Sequence, residues 1–512
     1  MRKFFKTVAI VTVFSVCEKF LGFLYRIFLS RYIGTEGIGI YQVALSVFAL
    51  FLTVCCSGTP VTVSRLMLKY QAENKPEKVK KVITAGLTLS LATAVPICIL
   101  CFILKGKLNF FFADERCISV FLIIIPGLIF TSVYSILRGV FWGEKDFLPY
   151  SIIELLEEIC MILVGIALIV TTSSPYEGAY RAGFAVLVSY IFSFALGTAV
   201  FFIRKHKLKN PISELKPLIA SSAPITAMRT ANSVVVSLVS IILPMRLIAG
   251  GMTDTEAMSA FGAAVGQAIP LLFIPTTLIG SFTLVLVPEI SENFYKKKHF
   301  FLKRDIEKSL KFAVAVTCLF IPVFTVLGKE IGIIIFDSHE CGKYLTASAY
   351  LMFFMTVSSL STSMLNSMGM ENKTLLYYAI GAVLMLLCVW FLPAFIGVYA
   401  LLIGFTFVYG ISSVANLILI RKACVEKPAF IKFLSLSALL CLPAVLFGFI
   451  IEKLLISPLG IWLTTISVAV ALVLFTGALF VAFSLVDIKQ FKNKISRFMP
   501  KKRERVKQVK VK

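Results

Sequence analysis

Charge is scarce in this chain, and histidine and tryptophan are scarcer. Only 15% of the 512 residues are Asp, Glu, Lys or Arg, and there are three histidines and three tryptophans. His206, His299 and His339 are scattered through loops, so they form neither a metal cluster nor a catalytic base beside a nucleophile. No G-x-x-x-x-G-K-[ST] loop is present, which removes nucleotide hydrolysis. Nothing here points to an enzyme, and no cofactor or metal is expected. The twelve cysteines do not make a disulfide framework, because most sit in apolar stretches where a thiol is a small hydrophobe. Cys98-x-x-Cys101 falls in such a stretch, with no soluble domain around it to support redox chemistry.

Hydrophobic residues supply 58% of the chain, and mean hydropathy is +0.92. No soluble domain of this size has that balance. Apolar stretches of roughly 20 residues, the length a bilayer core requires, recur from 7–29 to 459–484. Counting them gives about fourteen and an all-α polytopic membrane protein. The net charge of +24 is distributed as membrane topology demands. With the N-terminus inside, 37 of the 51 Lys and Arg fall at cytoplasmic ends and loops. Both termini are therefore expected in the cytoplasm of a cell-membrane protein. The tail, 487–512, carries eleven Lys/Arg against Asp487 and Glu504. Ile488, Phe491, Ile495 and Phe498 recur there at helical spacing, which predicts a short amphipathic helix on anionic lipid.

Polar residues inside the apolar stretches give the candidate site. The first stretch contains Glu18, Lys19 and Arg26. Residues seven apart lie about 20° from one another on a helix, so Lys19 and Arg26 share a face, with Ser15 and Gly22. Charge at membrane depth is costly and usually faces a cavity. Snorkelling of Arg26 to the interface is the competing explanation. The second stretch carries Gln42, Ser46, Thr53, Ser57 and Ser64 on one side, breaks at Ser57–Pro60, and ends with Arg65. The seventh aligns Ser222, Thr226, Arg229, Ser233, Ser237 and Ser240, with Asn232 close by. Lys19, Arg26, Arg65, Arg229 and Asn232 are the substrate-binding candidates. Arg138 and Glu154, near the ends of adjacent stretches, suit an ion pair; with Glu18 they form a possible coupling or structural group.

A polar linker at 204–217 divides 1–203 from 218–420, and the second part echoes the first. SFTLVLVPE (281–289) aligns with SGTPVTVSR (57–65), and SMLNSMGMENK (363–373) resembles SILRGVFWGEK (135–145). The expected organisation is two six-helix lobes related by an internal repeat, two further helices in 421–486, and the basic tail. Transporters are commonly built from such repeats, with the substrate site between them.

The opening Lys19-x2-Gly22-x3-Arg26, RYIGTEGIGIYQVALS, SGTPVTVSRL, LRGVFWGEK and LVPEISE together resemble the multidrug/oligosaccharidyl-lipid/polysaccharide flippase superfamily. Within it the chain is most similar to polysaccharide exporters of the stage V sporulation protein B type. The resemblance covers nearly the whole chain. It implies two lobes around a central cavity, alternating access, and a lipid-diphosphate-linked saccharide as cargo, such as a peptidoglycan or spore-cortex precursor. Basic residues on the first two helices of related lipid II flippases match Lys19, Arg26 and Arg65; Glu18 departs from that pattern. The alternative within the superfamily is a sodium- or proton-coupled multidrug exporter, which would need acidic cation-binding residues. No nucleic-acid partner and a monomeric state are expected.

Overall fold

The computed structural model describes residues 2–483 and 485. The basic tail therefore lies outside the described residues, and with it the expected amphipathic helix. All regular structure among the described residues is helical. Unit 1 of the two compact units begins with α1 (Arg2–Cys56), α2 (Thr59–Ala72), α3 (Pro76–Ile103), α4 (Glu115–Ile124) and α5 (Gly127–Gly143). It continues through α6 (Leu148–Ile169), α7 (Pro175–Ile203), α8 (Ile212–Ala249), α9 (Asp254–Phe261) and α10 (Ile269–Leu272).

Chain breaks follow local chemistry. Gly34 turns α1 with φ 66°, a conformation that costs glycine nothing for want of a Cβ. Ser57 and Gly58 separate α1 from α2, which restarts with Pro60 in its first turn, where the missing N–H is harmless. α4 and α5 bend by 44°. A seven-residue π stretch, Gly262–Ala268, joins α9 to α10, so what the sequence presents as one apolar run at 257–287 is interrupted. α9 itself opens with a reciprocal capping box between Thr253 and Glu256.

Beyond these lie α11 (Ile274–Tyr295), α12 (His299–Val326), α13 (Gly328–Phe336), α14 (His339–Ser348) and α15 (Leu351–Ser367). α16 (Glu371–Phe391), α17 (Pro393–Ile396), α18 (Ala400–Ala423) and α19 (Ile431–Ala482) follow. Unit 1 also takes residues 328–351 and 372–415; unit 2 takes 275–327, 352–371 and the chain from 416. In unit 2, α19 packs along α12: Gly448 fits against Val326 and Leu472, and Phe447 stacks on Phe475 at 4.0 Å. Asn416 donates to Ser361 and Thr362 in the same unit.

Nine helices among the described residues are long and apolar enough to cross a membrane, or eleven if two bent pairs each count as one. One of the nine, Val13–Ala72, has 60 residues. That is ~90 Å of helix, about twice a bilayer with its headgroups, which is length enough for two crossings. α6 stays outside the nine because Glu154, Glu157 and Glu158 interrupt an otherwise apolar 22-residue helix.

Candidate functional site

Those three glutamates define the site. Positions i, i+3 and i+4 share one helix face, so α6 turns all three carboxyls in one direction. α5 answers with Thr131, Tyr134, Ser135 and Arg138, again at helical spacing. With Glu18 from α1, the Cys56–Ser57 end of the same helix, Tyr190 of α7 and Arg229 of α8, they line a cavity of ≈ 350 Å³ within unit 1. It holds four carboxyls and two guanidiniums. No group of three His, Cys, Asp or Glu among the described residues is arranged to hold a metal ion.

The two arginines are differently engaged. Arg138 Nη1 donates to Glu154 Oε1 at 2.8 Å, and its guanidinium lies 5.1 Å from the centre of the Trp142 ring. Its Nε is buried and meets no hydrogen-bond partner among the described residues. Arg229 Nη1 donates to the carbonyl of Ser57 at 2.7 Å, capping the backbone group exposed by the break after α1. Glycine lets α8 come close at Gly58 and leaves room for the Glu158 carboxyl at Gly22. A Cβ on Gly58 would stand 2.3 Å from Thr226 Oγ1, and one on Gly22 would stand 2.9 Å from Glu158 Oε1.

Of the substrate-binding candidates, Arg229 lines this cavity; Lys19, Arg26, Arg65 and Asn232 do not. Lys19 and Arg65 are exposed on α1 and α2. Arg26 Nη1 donates to the Gly266 carbonyl in the π stretch at 2.6 Å. Asn232 Oδ1 accepts from the Tyr378 hydroxyl at 2.5 Å. All three members of the coupling or structural group, Glu18, Arg138 and Glu154, meet at the cavity.

The serine stripes read from sequence partly satisfy one another. Ser237 Oγ donates to the Ser46 carbonyl at 2.7 Å and Ser240 Oγ to Ser46 Oγ at 3.0 Å, while Thr53 Oγ1 donates to Ser233 Oγ at 3.3 Å. They bind α1 to α8 as interhelical polar contacts do in membranes. Sequence reasoning passed over Glu157, although its signal, E-L-L-E-E in an apolar run, was legible. It also passed over Glu214, 2% exposed, which accepts from the Tyr70 hydroxyl at 2.7 Å.

Helices that gather carboxyls and guanidiniums about a polar hollow, in a chain of long apolar spans, define a polytopic membrane protein. The chain belongs to the polysaccharide biosynthesis protein family, whose profile matches residues 4–294. It is 24% identical to stage V sporulation protein B of Bacillus subtilis (strain 168) over 392 residues, 74% of this chain and 76% of that one. It is 22% identical to the lipid II flippase MurJ of the same organism over 345 residues, 62% of each chain. Among solved structures, a lipid II flippase MurJ in an inward closed conformation matches with TM-score 0.72 at 14% identity, covering 93% of this chain and all of the other. An inward-facing multidrug resistance MATE family transporter of the MOP superfamily matches with TM-score 0.64 at 14% identity, covering 82% and 95%. The fold is that of this superfamily of flippases and transporters, and these solved relatives are not enzymes.

Proposed function

We propose that the chain is a flippase that carries a lipid-diphosphate-linked saccharide, such as a peptidoglycan or spore-cortex precursor, from the inner to the outer leaflet by alternating access. The observation that carries this reading is the polar hollow of unit 1 with Arg229 at its edge, inside a chain of the polysaccharide biosynthesis family. A bare diphosphate in hydrocarbon is prohibitive, whereas fixed cations replace its hydration. Arg229 supplies forked donors. Lys19 and Arg65, exposed on α1 and α2, reach the cargo from water-filled space; Arg26 joins them when it leaves the Gly266 carbonyl. Asn232 contacts the saccharide.

The organisation in this reading is two six-helix lobes, 1–203 and 218–420, joined by 204–217, with two more helices in 421–486. Fourteen crossings leave both termini cytoplasmic and the basic tail on anionic lipid, in a monomer. Cysteines introduced at 35 and 254 are expected to react with an impermeant label from outside; those at 206 and 298 react only after permeabilisation. External labelling at 298 would overturn the orientation.

A second reading, a sodium- or proton-coupled multidrug exporter, is favoured by one observation: four carboxyls face two guanidiniums in the same cavity. The deciding experiment is translocation in proteoliposomes with an imposed potential, comparing wild type with Lys19→Ala, Arg26→Ala and Arg229→Ala. Outward movement of an anion gains about 2.3 kcal/mol per elementary charge per 100 mV with the inside negative. Lipid diphosphates should therefore flip faster under that potential, and the variants should lose transport while still inserting. Unchanged transport in the variants, or a preference for cationic drugs, would leave the exporter standing.

A further inference from the structure

Unit 1 contains a second cavity, of ≈ 590 Å³, at the ends of α2, α3, α5 and α7 and away from the membrane-depth site. Met67, Val79 and Ile83 give its lining an apolar part. Lys75, Lys80, Lys205 and Lys207 give it positive charge. Glu144 is the one carboxylate in the lining, and it is already engaged: Arg204 Nη1 lies 2.9 Å from one of its oxygens and His206 Nε2 lies 2.9 Å from the other. Lys75 pairs with Glu73 at 2.7 Å and Lys80 with Glu77 at 2.8 Å, whereas Lys205 and Lys207 form no salt bridge with any carboxylate among the described residues, so theirs is the charge left for something else.

Two further features favour an anion. α3 starts at Pro76 with no side chain capping it, and its first turn lines the cavity, so the positive end of the helix dipole joins the lysines there, offset in part by Glu77 in the same turn. The segment that carries Lys205 and Lys207 is held in place. The Lys209 N–H donates to Thr84 Oγ1 at 3.0 Å, the Lys209 ammonium pairs with Glu77, and the His206 ring stacks on Phe201 at 4.7 Å. Lys205 itself sits at φ 59°, a left-handed conformation that glycine would adopt without strain. The cavity thus has a lining that is cationic in part and apolar in part, and its volume is that of a small-molecule site.

We propose that this cavity binds a phosphate-bearing anion, with its phosphate at Lys205 and Lys207, where Lys75 and Lys80 add to the positive field, and the rest of the molecule against Met67, Val79 and Ile83. An anionic phospholipid headgroup and a soluble phosphorylated compound share that chemistry. Binding here is independent of the flippase reading.

The test uses the full chain with two probes. Inorganic pyrophosphate is titrated by calorimetry, and retention of phosphatidylglycerol over phosphatidylcholine is read by native mass spectrometry. The variants are Lys205→Asn with Lys207→Gln, asparagine being tolerant of a positive φ, and Lys75→Gln with Lys80→Gln as a second pair. Lys105→Gln with Lys107→Gln, elsewhere on the surface, controls for total charge. Each lysine removed from the cavity should weaken binding about fivefold. Loss of phosphatidylglycerol alone identifies the lipid source, loss of pyrophosphate alone the soluble one, and loss of both supports the site for either. The proposal is overturned if wild type binds neither probe, if both cavity pairs bind as wild type does, or if the control pair loses as much.

Discussion

Two arginine–glutamate pairs in unit 1 have almost the same geometry and different surroundings. Arg138 and Glu154 meet at 2.8 Å, with side chains 31% and 23% exposed; Arg204 and Glu144 meet at 2.9 Å, with 31% and 22% exposed. Each guanidinium also lies over a ring, Trp142 in one case and Phe141 in the other. By exposed side-chain area the two pairs are alike, but Arg138 is half-buried with its Nε enclosed, whereas Arg204 is an exposed residue. The surroundings differ further. The first pair is inside α5 and α6, with Glu18, Glu157 and Glu158 lining the same cavity. The second lies at the ends of α5 and α7, where Asp146 and His206 balance it. An ion pair is worth what its surroundings would charge for a lone ion. At the helix ends that is water; inside the helices it is hydrocarbon or a small polar hollow.

The largest expected effect breaks each pair in turn. Arg138→Ala leaves Glu154 with no cation beside it and should cost about 3 kcal/mol. Arg204→Ala should cost ~1 kcal/mol or less, since water takes over. Thermal unfolding in nanodiscs measures both. Equal losses would mean that Arg138 is as solvated as Arg204. A sharper version replaces both partners. Arg138→Met with Glu154→Leu should regain most of the loss, about 2 kcal/mol, because no lone charge remains. If transport also returns, the pair is structural; if stability returns and transport does not, both residues belong to the transport site.

A smaller effect is expected at Glu157, which faces the same cavity with Glu154 and Glu158. Glu157→Gln removes one like charge from a helical cluster and should raise stability by about 0.5 kcal/mol. In proteoliposomes it should weaken the dependence of transport on a sodium or proton gradient. A transport rate with unaltered gradient dependence would remove Glu157 from coupling and leave it a polar lining residue.

Much of this architecture was legible in the sequence, for identifiable reasons. Apolar length gave the helical membrane class, and Arg138 and Glu154 could be set side by side because WGEKDFLP is a short turn. The break at Ser57–Pro60 was written in its own residues. What sequence could not give was which polar faces meet which. Ser46, Ser237 and Ser240 look like a cavity lining by periodicity alone, yet they bond to one another across α1 and α8. Arg26 sits on a polar stripe but reaches the Gly266 carbonyl, 240 residues away, exposed by a π stretch that no simple periodicity announces. Glu214 is buried against Tyr70 because α8 begins beneath α2, a fact of packing rather than of pattern.

The smallest expected effect concerns the outer pair and pH. Burial alone would raise the carboxyl of Glu144, but His206 and Arg204 outweigh it and hold the group below the usual carboxylate range. A carboxylate lowered in the folded protein contributes stability that is complete above its unfolded value, about 4.3. That contribution fades as pH falls through the lower folded value. Below about pH 5 the unfolding temperature of wild type should therefore exceed that of Glu144→Gln by a margin that shrinks as pH falls. Removing Arg204 as well should shrink the margin at every pH, because it supplies one of the two contacts that favour the charged form. Arg204 stays charged throughout this range, so the carboxylate alone sets the acid limb. A margin that widened below about pH 5 would show that the Glu144 carboxyl is raised rather than lowered, and would place the outer pair in surroundings as dry as those of Arg138 and Glu154.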